Sequence, residues 1–403
     1  MRICLVTSSF LPQVGGAEIV VHQLALAFTE LGDQVTVLAP RYSAPLRNLV
    51  PYRLETFLPG TLTLLNRGRT ERLGEALILA TVARMRGRFD VYNLHFALPL
   101  GPVLVRYRRL LGAPVLLTFH GTDVQTAPEV GYGLRLDPRL DARIRAASNG
   151  ADGLVAISPS VREAILEVLS RPVPVFDVPN GVDVRRLAGE RPRGRFRARL
   201  GIPPDAPLVL AVGRHHPKKG FDILIEAMGL VAREERAVHC AIVGRGVRGL
   251  REEVERLGLG GHVHLVEEVG PGVDGQGPPA FPTDAVVDAY RDCDVFVSPA
   301  LMEGCSLVVL EALAAGCAVV ATDAPGNRDA VHDGGNGIVC RPRDPQDLAR
   351  RILVLLRDPE LRARLGQAAR RSARAHDWRE VARRYLAAYG AVRSVPQRSE
   401  VRA

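Results

Sequence analysis

Only two of the chain's 53 basic residues are lysine, and they are neighbours: Lys218 and Lys219, directly before Gly220. Every other positive charge is arginine. An ammonium is a compact point charge with rotatable donors, whereas a guanidinium is a planar fork, so the surviving pair either reflects chance in a small sample or marks a place where that geometry counts. The run Leu208-Val-Leu-Ala-Val-Gly-Arg-His-His-Pro-Lys-Lys-Gly220 reads as an apolar strand, a glycine, a loop stiffened by Pro217, and the start of a helix. Arg214 and Lys219, five residues apart, would stand at the mouth of that helix. Two cations at a helix N-terminus suit a diphosphate, each charge-assisted hydrogen bond contributing about 1.5–3 kcal/mol. Lys219 holds the spacing to Arg214 and is expected to face the anion; Lys218 is expected to face solvent. Lys219→Arg should then lower turnover strongly, and Lys218→Arg should be near neutral.

Glu303-Gly-Cys-Ser-Leu-Val-Val-Leu-Glu311 supplies two carboxylates eight residues apart. Gly304 to Ser306 should open a helix with Ser306 as its cap. Glu303 would sit in the preceding loop and Glu311 about two turns down, one reaching a sugar and the other a ribose diol. The alternative is a solvated surface pair, which the apolar residues between them disfavour. Gly15-Gly16 follows the first apolar run and precedes an amphipathic stretch, so its backbone N–H groups could approach an anion or simply make a tight turn. His120, in Thr118-Phe-His-Gly-Thr-Asp123, again follows a strand; it is either a satisfied polar residue or, as its place at a strand's carboxyl end favours, points into a cleft.

Two other patterns invite different chemistry. Gly244-Arg-Gly-Val-Arg-Gly249 is a literal GxGxxG with Glu267 and Glu268 about 20 residues on. It follows the second strand of its series, where the dinucleotide fingerprint follows the first. Asp292-Cys-Asp294 resembles a metal-holding DxD, but it stands at the start of a strand, the wrong end of a parallel sheet for a ligand.

The elements that must position these residues alternate along the chain. Apolar runs at 2–8, 34–39, 90–95, 114–119, 153–157 and 173–178 are separated by helical patterns. After an Arg/Pro-rich, linker-like stretch at 184–207 they resume at 208–213, 238–243, 262–267, 294–297, 317–322 and 338–340. This implies an α/β chain of two doubly wound, Rossmann-like domains of about six strands each, facing across a cleft. Asn180-Gly-Val-Asp183 is a turn signal at the hinge, and the Gly/Pro-rich 269–283 is expected to be an exposed loop or lid. A length of 403 residues fits two domains. The net charge of +9 points to anionic partners, while 5% aromatic content argues against base-stacking nucleic-acid platforms. The six cysteines form no CxxC pair and read as reduced core thiols. The N-terminal run reads as a buried strand rather than a signal peptide, and no apolar stretch reaches about 18 residues.

Together these pieces resemble a GT-B-fold retaining glycosyltransferase of family 4 (group 1). The resemblance rests on Gly15-Gly16, His120-Gly-Thr-Asp123, Ser158, Asn180-Gly-Val-Asp183, Arg214 with Lys219, Val243-Gly244, and Glu303 to Glu311, in family order over roughly 1–390. It implies donor-side contacts from Gly15, Gly16, Gly244, Cys305, Ser306, Leu307 and Glu311, the last on the ribose. His120 and Glu303 would address the transferred sugar, and Arg214 and Lys219 the leaving diphosphate. No metal and no cofactor beyond the nucleoside-diphosphate-sugar co-substrate are expected. The implied domains are 1–185 on the acceptor side, 186–376 for the donor, a crossover helix at 377–392 with Trp378 and Tyr385, and a tail at 393–403. Cys305-Ser306 replace the family's usual Phe-Gly, and the 269–283 insertion has no counterpart in the core pattern.

The implied acceptor is a glycan or a lipid-linked molecule, not nucleic acid. Residues 62–88 carry Arg67, Arg69, Arg72, Arg84, Arg86 and Arg88 against only Glu71 and Glu75, a pattern that fits either an ordinary Arg-rich surface helix or peripheral contact with an anionic membrane from the cytoplasmic side. Rival readings are a nucleotide-sugar epimerase or hydrolase on the same architecture, an NAD-dependent oxidoreductase using Gly244–Gly249, and a catalytically silent sugar binder.

Overall fold

The apolar runs between turn signals become parallel strands in the computed structural model, which describes residues 1–65, 70–189, 193–268 and 278–394. The first domain holds β1 (Arg2–Thr7), β2 (Gln34–Ala39), β3 (Arg53–Thr56), β4 (Val91–His95), β5 (Val115–Phe119), β6 (Gly153–Ala156) and β7 (Val175–Asp177). The second holds β8 (Leu208–Val212), β9 (His239–Val243), β10 (Val263–Val266), β11 (Val295–Ser298), β12 (Ala318–Thr322) and β13 (Ile338–Cys340). The strand orders are β3-β2-β1-β4-β5-β6-β7 and β10-β9-β8-β11-β12-β13. Each sheet reverses direction of winding beside its first strand, between β1 and β4 and between β8 and β11. Such switch points leave a crevice at the carboxyl ends of the strands. The loops after β1 and β8 open there.

Both sheets are covered on both faces, which is why their strands are apolar nearly throughout. Alternate residues of β1 feed opposite layers: Ile3 and Leu5 join the helix Gly16–Glu30, while Cys4 and Val6 join the layer of Val103 and Ile144. The final helix, Trp378–Ser394, leaves the second domain and packs on the first. Its Tyr385 meets Phe28 edge-on at 6.3 Å, and Tyr389 accepts a 2.8 Å hydrogen bond from buried Asn93. The return crossing runs beside the outward one: Val182 N–H donates to the His376 carbonyl at 2.8 Å, and Val182 bridges Asp377.

Three sequence expectations change. The first sheet has a seventh strand, β3, on its edge. The stretch 184–207 is not a plain linker: the helices Val184–Ala188 and Arg195–Leu200 bury Leu187, Phe196 and even Arg197. In the insertion, 269–277 lies outside the described residues and Pro278 and Ala280 are exposed, but Phe281 and Pro282 are buried. Phe281 packs into the first domain's core, Pro279 O lies 2.9 Å from His22 Nε2, and Gln23 donates to Phe281 O at 3.3 Å.

Candidate active site

A cavity of about 470 Å³ opens between the two sheets at their carboxyl ends. Its walls include Gly15, Gly16 and His120 from the first domain, and Arg214, Lys219, Gly244, Glu303, Cys305, Ser306, Leu307 and Glu311 from the second. All eleven candidate residues named from sequence are therefore brought together. A larger, shallower groove of about 720 Å³ follows the edge strand β3 among Arg41, Arg47, Arg53, Arg84 and Arg88, and shares no residue with this cleft.

Arg214 leaves the end of β8, and the 3-10 turn Pro217–Lys219 follows. His216 Nδ1 accepts the Lys218 N–H at 3.2 Å and fixes that turn. Gly220 then adopts φ +62, and a Cβ there would lie 2.2 Å from Pro299 O, so only glycine lets the lysines sit against the loop after β11. In that loop Glu303 is gripped from two sides: Lys219 pairs with Oε1, and Lys218 reaches Oε2 at 3.1 Å. Burial pushes Glu303 up, but the two ammonium groups overcome it and hold the carboxyl at about 2.

Lys218 thus corrects the sequence reading. Its side chain is 12% exposed, and its Nζ lies 4.3 Å from the centre of the Tyr132 ring, a cation–π contact reaching across to the first domain.

Glu311 lies in the second turn of the helix Leu307–Ala315, nearer its start than the sequence suggested. Ser306 stands at the cap position without a capping bond, and its buried Oγ has no partner. Burial raises Glu311 to about 7, although Tyr290 OH donates to its Oε2 at 2.8 Å and Lys219 also pulls downward. At Cys305, where the family often has phenylalanine, burial pushes the thiol up to about 12, which disfavours the thiolate. Its carbonyl accepts from Asn180 Nδ2 at 3.2 Å.

On the opposite wall, Gly16 begins the helix Gly16–Glu30 without a side-chain cap, and Leu307 Cδ1 lies 3.8 Å from where its Cβ would be. His120 follows β5, its backbone N–H held by buried Asp123 at 3.0 Å. Burial drives the His120 imidazole down to about 3. A Cβ on Gly304 would lie 2.7 Å from His120 O, so the two domains touch backbone to backbone beside this ring.

The two diverting motifs are used structurally. Gly246 N–H donates to Glu267 Oε1 at 2.6 Å, which removes a donor that a dinucleotide phosphate would need. Asp292 accepts the N–H groups of Gly194, Phe196 and Arg197 at 2.6, 2.8 and 3.1 Å. Asp294 binds Arg197 and the Leu208 N–H at 2.9 and 2.8 Å, at the far end of β11 from the cleft.

Sequence reasoning missed Lys218, Tyr132, Tyr290 and His95. His95 ends β4 as His120 follows β5, and the rule that raised His120 would have raised it too.

Residues 14–186 match the family described as Glycosyltransferase Family 4, and residues 192–372 match Glycosyl transferases group 1. The D-inositol 3-phosphate glycosyltransferase of Geodermatophilus obscurus is 31% identical over 404 residues, covering 94% of this chain and 85% of that protein. The phosphatidyl-myo-inositol mannosyltransferase of Mycobacterium leprae is 30% identical over 398 residues, covering 97% of each. Among solved structures, sucrose-phosphate synthase from Thermosynechococcus elongatus superposes with a TM-score of 0.79 at 22% identity, over 97% of this chain and 99% of that one. Anabaena HepE in complex with UDP-glucose gives 0.77 at 19% identity, over 97% and 100%. Two facing parallel sheets, a cleft at their carboxyl ends and relatives matched along almost the whole length lead to one assignment: the chain belongs to group 1 of the glycosyltransferases and is an enzyme of GT-B architecture.

Proposed function

We propose that the enzyme transfers a sugar from a nucleoside-diphosphate-sugar to a hydroxyl of a glycan or lipid-linked acceptor, with retention at the anomeric carbon and without a metal. The observation that carries this reading is the cation cluster at one wall of the cleft. Arg214, Lys219 and the uncapped helix start at Leu307 converge where a diphosphate would gather charge as it leaves. Fixed positive groups in a site closed to water do what a divalent ion does in other enzymes, and loss of one such donor costs about 10²–10³ in rate. Glu303, kept ionised by both lysines, would take the sugar's hydroxyls, and Glu311 the ribose diol. His120 would meet the sugar from the other domain. No side chain stands out as an enzymic nucleophile, so the acceptor hydroxyl is assigned to attack from the face the diphosphate leaves.

The names of the two relatives favour a phosphorylated cyclitol or an inositol lipid as acceptor. A cytoplasmic enzyme touching a membrane suits the helix Glu71–Met85, where Leu73 is 56% exposed and Arg72 and Arg84 face solvent. Glu71 and Glu75 are paired with Arg143 and Arg106, so they do not offset that charge. Arg88 is engaged by Glu55 at 2.6 Å, and Arg67 and Arg69 lie outside the described residues. Among the described residues no helix is long and apolar enough to cross a membrane.

The test is a thermal-shift panel of nucleotide-sugars in excess chelator, followed by product analysis. One base and sugar should raise Tm and be consumed, and Lys219→Met should abolish both effects. No shift with any nucleotide-sugar would remove the reading. A requirement for added divalent ion would remove its metal-free part, and sedimentation indifferent to anionic lipid would remove the membrane contact.

A further inference from the structure

His120 does not stand alone. His95, 1% exposed at the end of β4, places Nδ1 3.0 Å from His120 Nε2, and the two rings stack at 5.2 Å with 28° between their planes. Phe96 closes on His120 from another side at 4.9 Å. To do so Phe96 takes φ 76, a left-handed backbone that a bulky residue adopts only under constraint from its surroundings. The His95 backbone is itself fixed in register between Thr7 of β1 and Thr118 of β5.

Both imidazoles are neutral, because burial lowers His120 to about 3 and holds His95 well below its usual value. Each ring then carries one proton, and two arrangements are open. If His120 donates from Nε2, the proton of His95 must sit on its own Nε2. That atom is buried and has no hydrogen-bond partner, so a bare N–H donor would be stranded. If His95 donates from Nδ1, only a lone pair is stranded. Orphaned buried N–H groups are the rarer of the two.

We infer that His95 is a positioning residue that donates from Nδ1 to His120 Nε2 and thereby holds His120 in the tautomer protonated at Nδ1. His120 then meets its ligand as a hydrogen-bond donor. Its remaining lone pair is occupied by His95, so it is not the base that takes the acceptor's proton; it recognises an oxygen of the sugar or of the departing group. The second half of this statement rests on the proposed sugar transfer; the tautomer itself does not.

The test uses the full chain labelled with ¹⁵N-histidine and long-range ¹H–¹⁵N correlation, with His120→Gln to assign the signals. The wild type should show His120 protonated at Nδ1 and bare at Nε2. His95→Asn, whose amide N–H replaces the Nδ1 donor, should keep that pattern and most of the turnover. His95→Phe keeps the ring and removes the donor. It should release His120 to mixed tautomers and lower kcat about 10- to 100-fold, as loss of an orienting partner does elsewhere. A wild-type His120 protonated at Nε2, or an unchanged tautomer in His95→Phe, overturns the inference. If no sugar transfer is found but the Nδ1 tautomer is, the proposed reaction fails and the positioning role stands.

Discussion

Glu311 should make nucleotide-sugar binding depend on pH around neutrality. Glu311 is 8% exposed, and burial raises its carboxyl to about 7 even though Tyr290 donates to it. A ribose diol donates two hydrogens and therefore binds the carboxylate, not the acid. Binding must draw off whatever proton is there: about 0.9 per site at pH 6 and about 0.1 at pH 8 for a group titrating at 7. The apparent Kd should rise about tenfold from pH 8 to pH 6, equivalent to about 1.4 kcal/mol. The assay is titration calorimetry at pH 6, 7 and 8 in pairs of buffers differing in ionisation enthalpy, which counts the protons directly. An intact nucleotide-sugar is the right ligand, because a free diphosphate has a terminal group titrating near about 6. His216, lowered by burial and by Lys218, cannot imitate the result. Its protonation at low pH would favour an anion, giving the opposite sign. Tyr290→Phe removes a contact that holds Glu311 down, so the midpoint should move upward. A Kd constant from pH 6 to 8, with no buffer-dependent heat, would refute the assignment of Glu311 to the ribose.

The paired lysines should now behave differently from the sequence-based expectation. Lys218→Arg must fit a planar fork between Glu303 and Tyr132, and steady-state kinetics should show at least about a tenfold loss in kcat/KM, against about 10²–10³-fold for Lys219→Met. Wild-type kinetics in Lys218→Arg would return that residue to solvent. Because the ammonium groups depress Glu303, removing either lets its pKa rise, and the acid limb of turnover should move to higher pH. Gly244→Ala places a Cβ 2.1 Å from Gly213 O and should cost more than about 3 kcal/mol, read as a fall in Tm with loss of donor binding. Asp292→Asn weakens a carboxylate that accepts three backbone N–H groups and should cost about 1–3 kcal/mol by denaturant titration, with no change in KM or metal response; a changed metal response would revive the DxD reading.

Where burial follows from local composition, the sequence was legible. The apolar strands fall within two residues of their expected limits, and the Arg214–Lys219 and Glu303–Glu311 spacings converge on one cleft. The edge strand β3 escaped notice because Arg53-Leu54-Glu55-Thr56 buries only Leu54 and so lacks an apolar run. The segment around Arg197 looked like a linker because nothing in its composition reveals that Asp292, Asp294, Pro203 and Ala206 would satisfy a buried guanidinium. Lys218 was placed in solvent because only Lys219 holds the spacing to Arg214. In a 3-10 turn neighbours are about 120° apart, and a four-carbon stem closes the rest of the distance. His95 could have been raised by its place at a strand's end, but its pairing with His120 needed the fold, since only the β4–β5 pairing brings together residues 25 positions apart.

The return of the final helix has a consequence for how the chain is made. The first domain is not a continuous stretch of sequence: the layer containing Val20, Leu24 and Phe28 is completed by Trp378, Tyr385 and Tyr389. During synthesis that apolar surface stays uncovered until the helix Trp378–Ser394 has left the ribosome. A chain cut between the two sheets would carry the same bare face permanently. The outward and returning crossings are laced by Val182, His376 and Asp377, so the docking that completes the first domain also ties the two crossings together. A newly made molecule therefore completes its first domain and fixes the path of its second crossing together, when that helix docks.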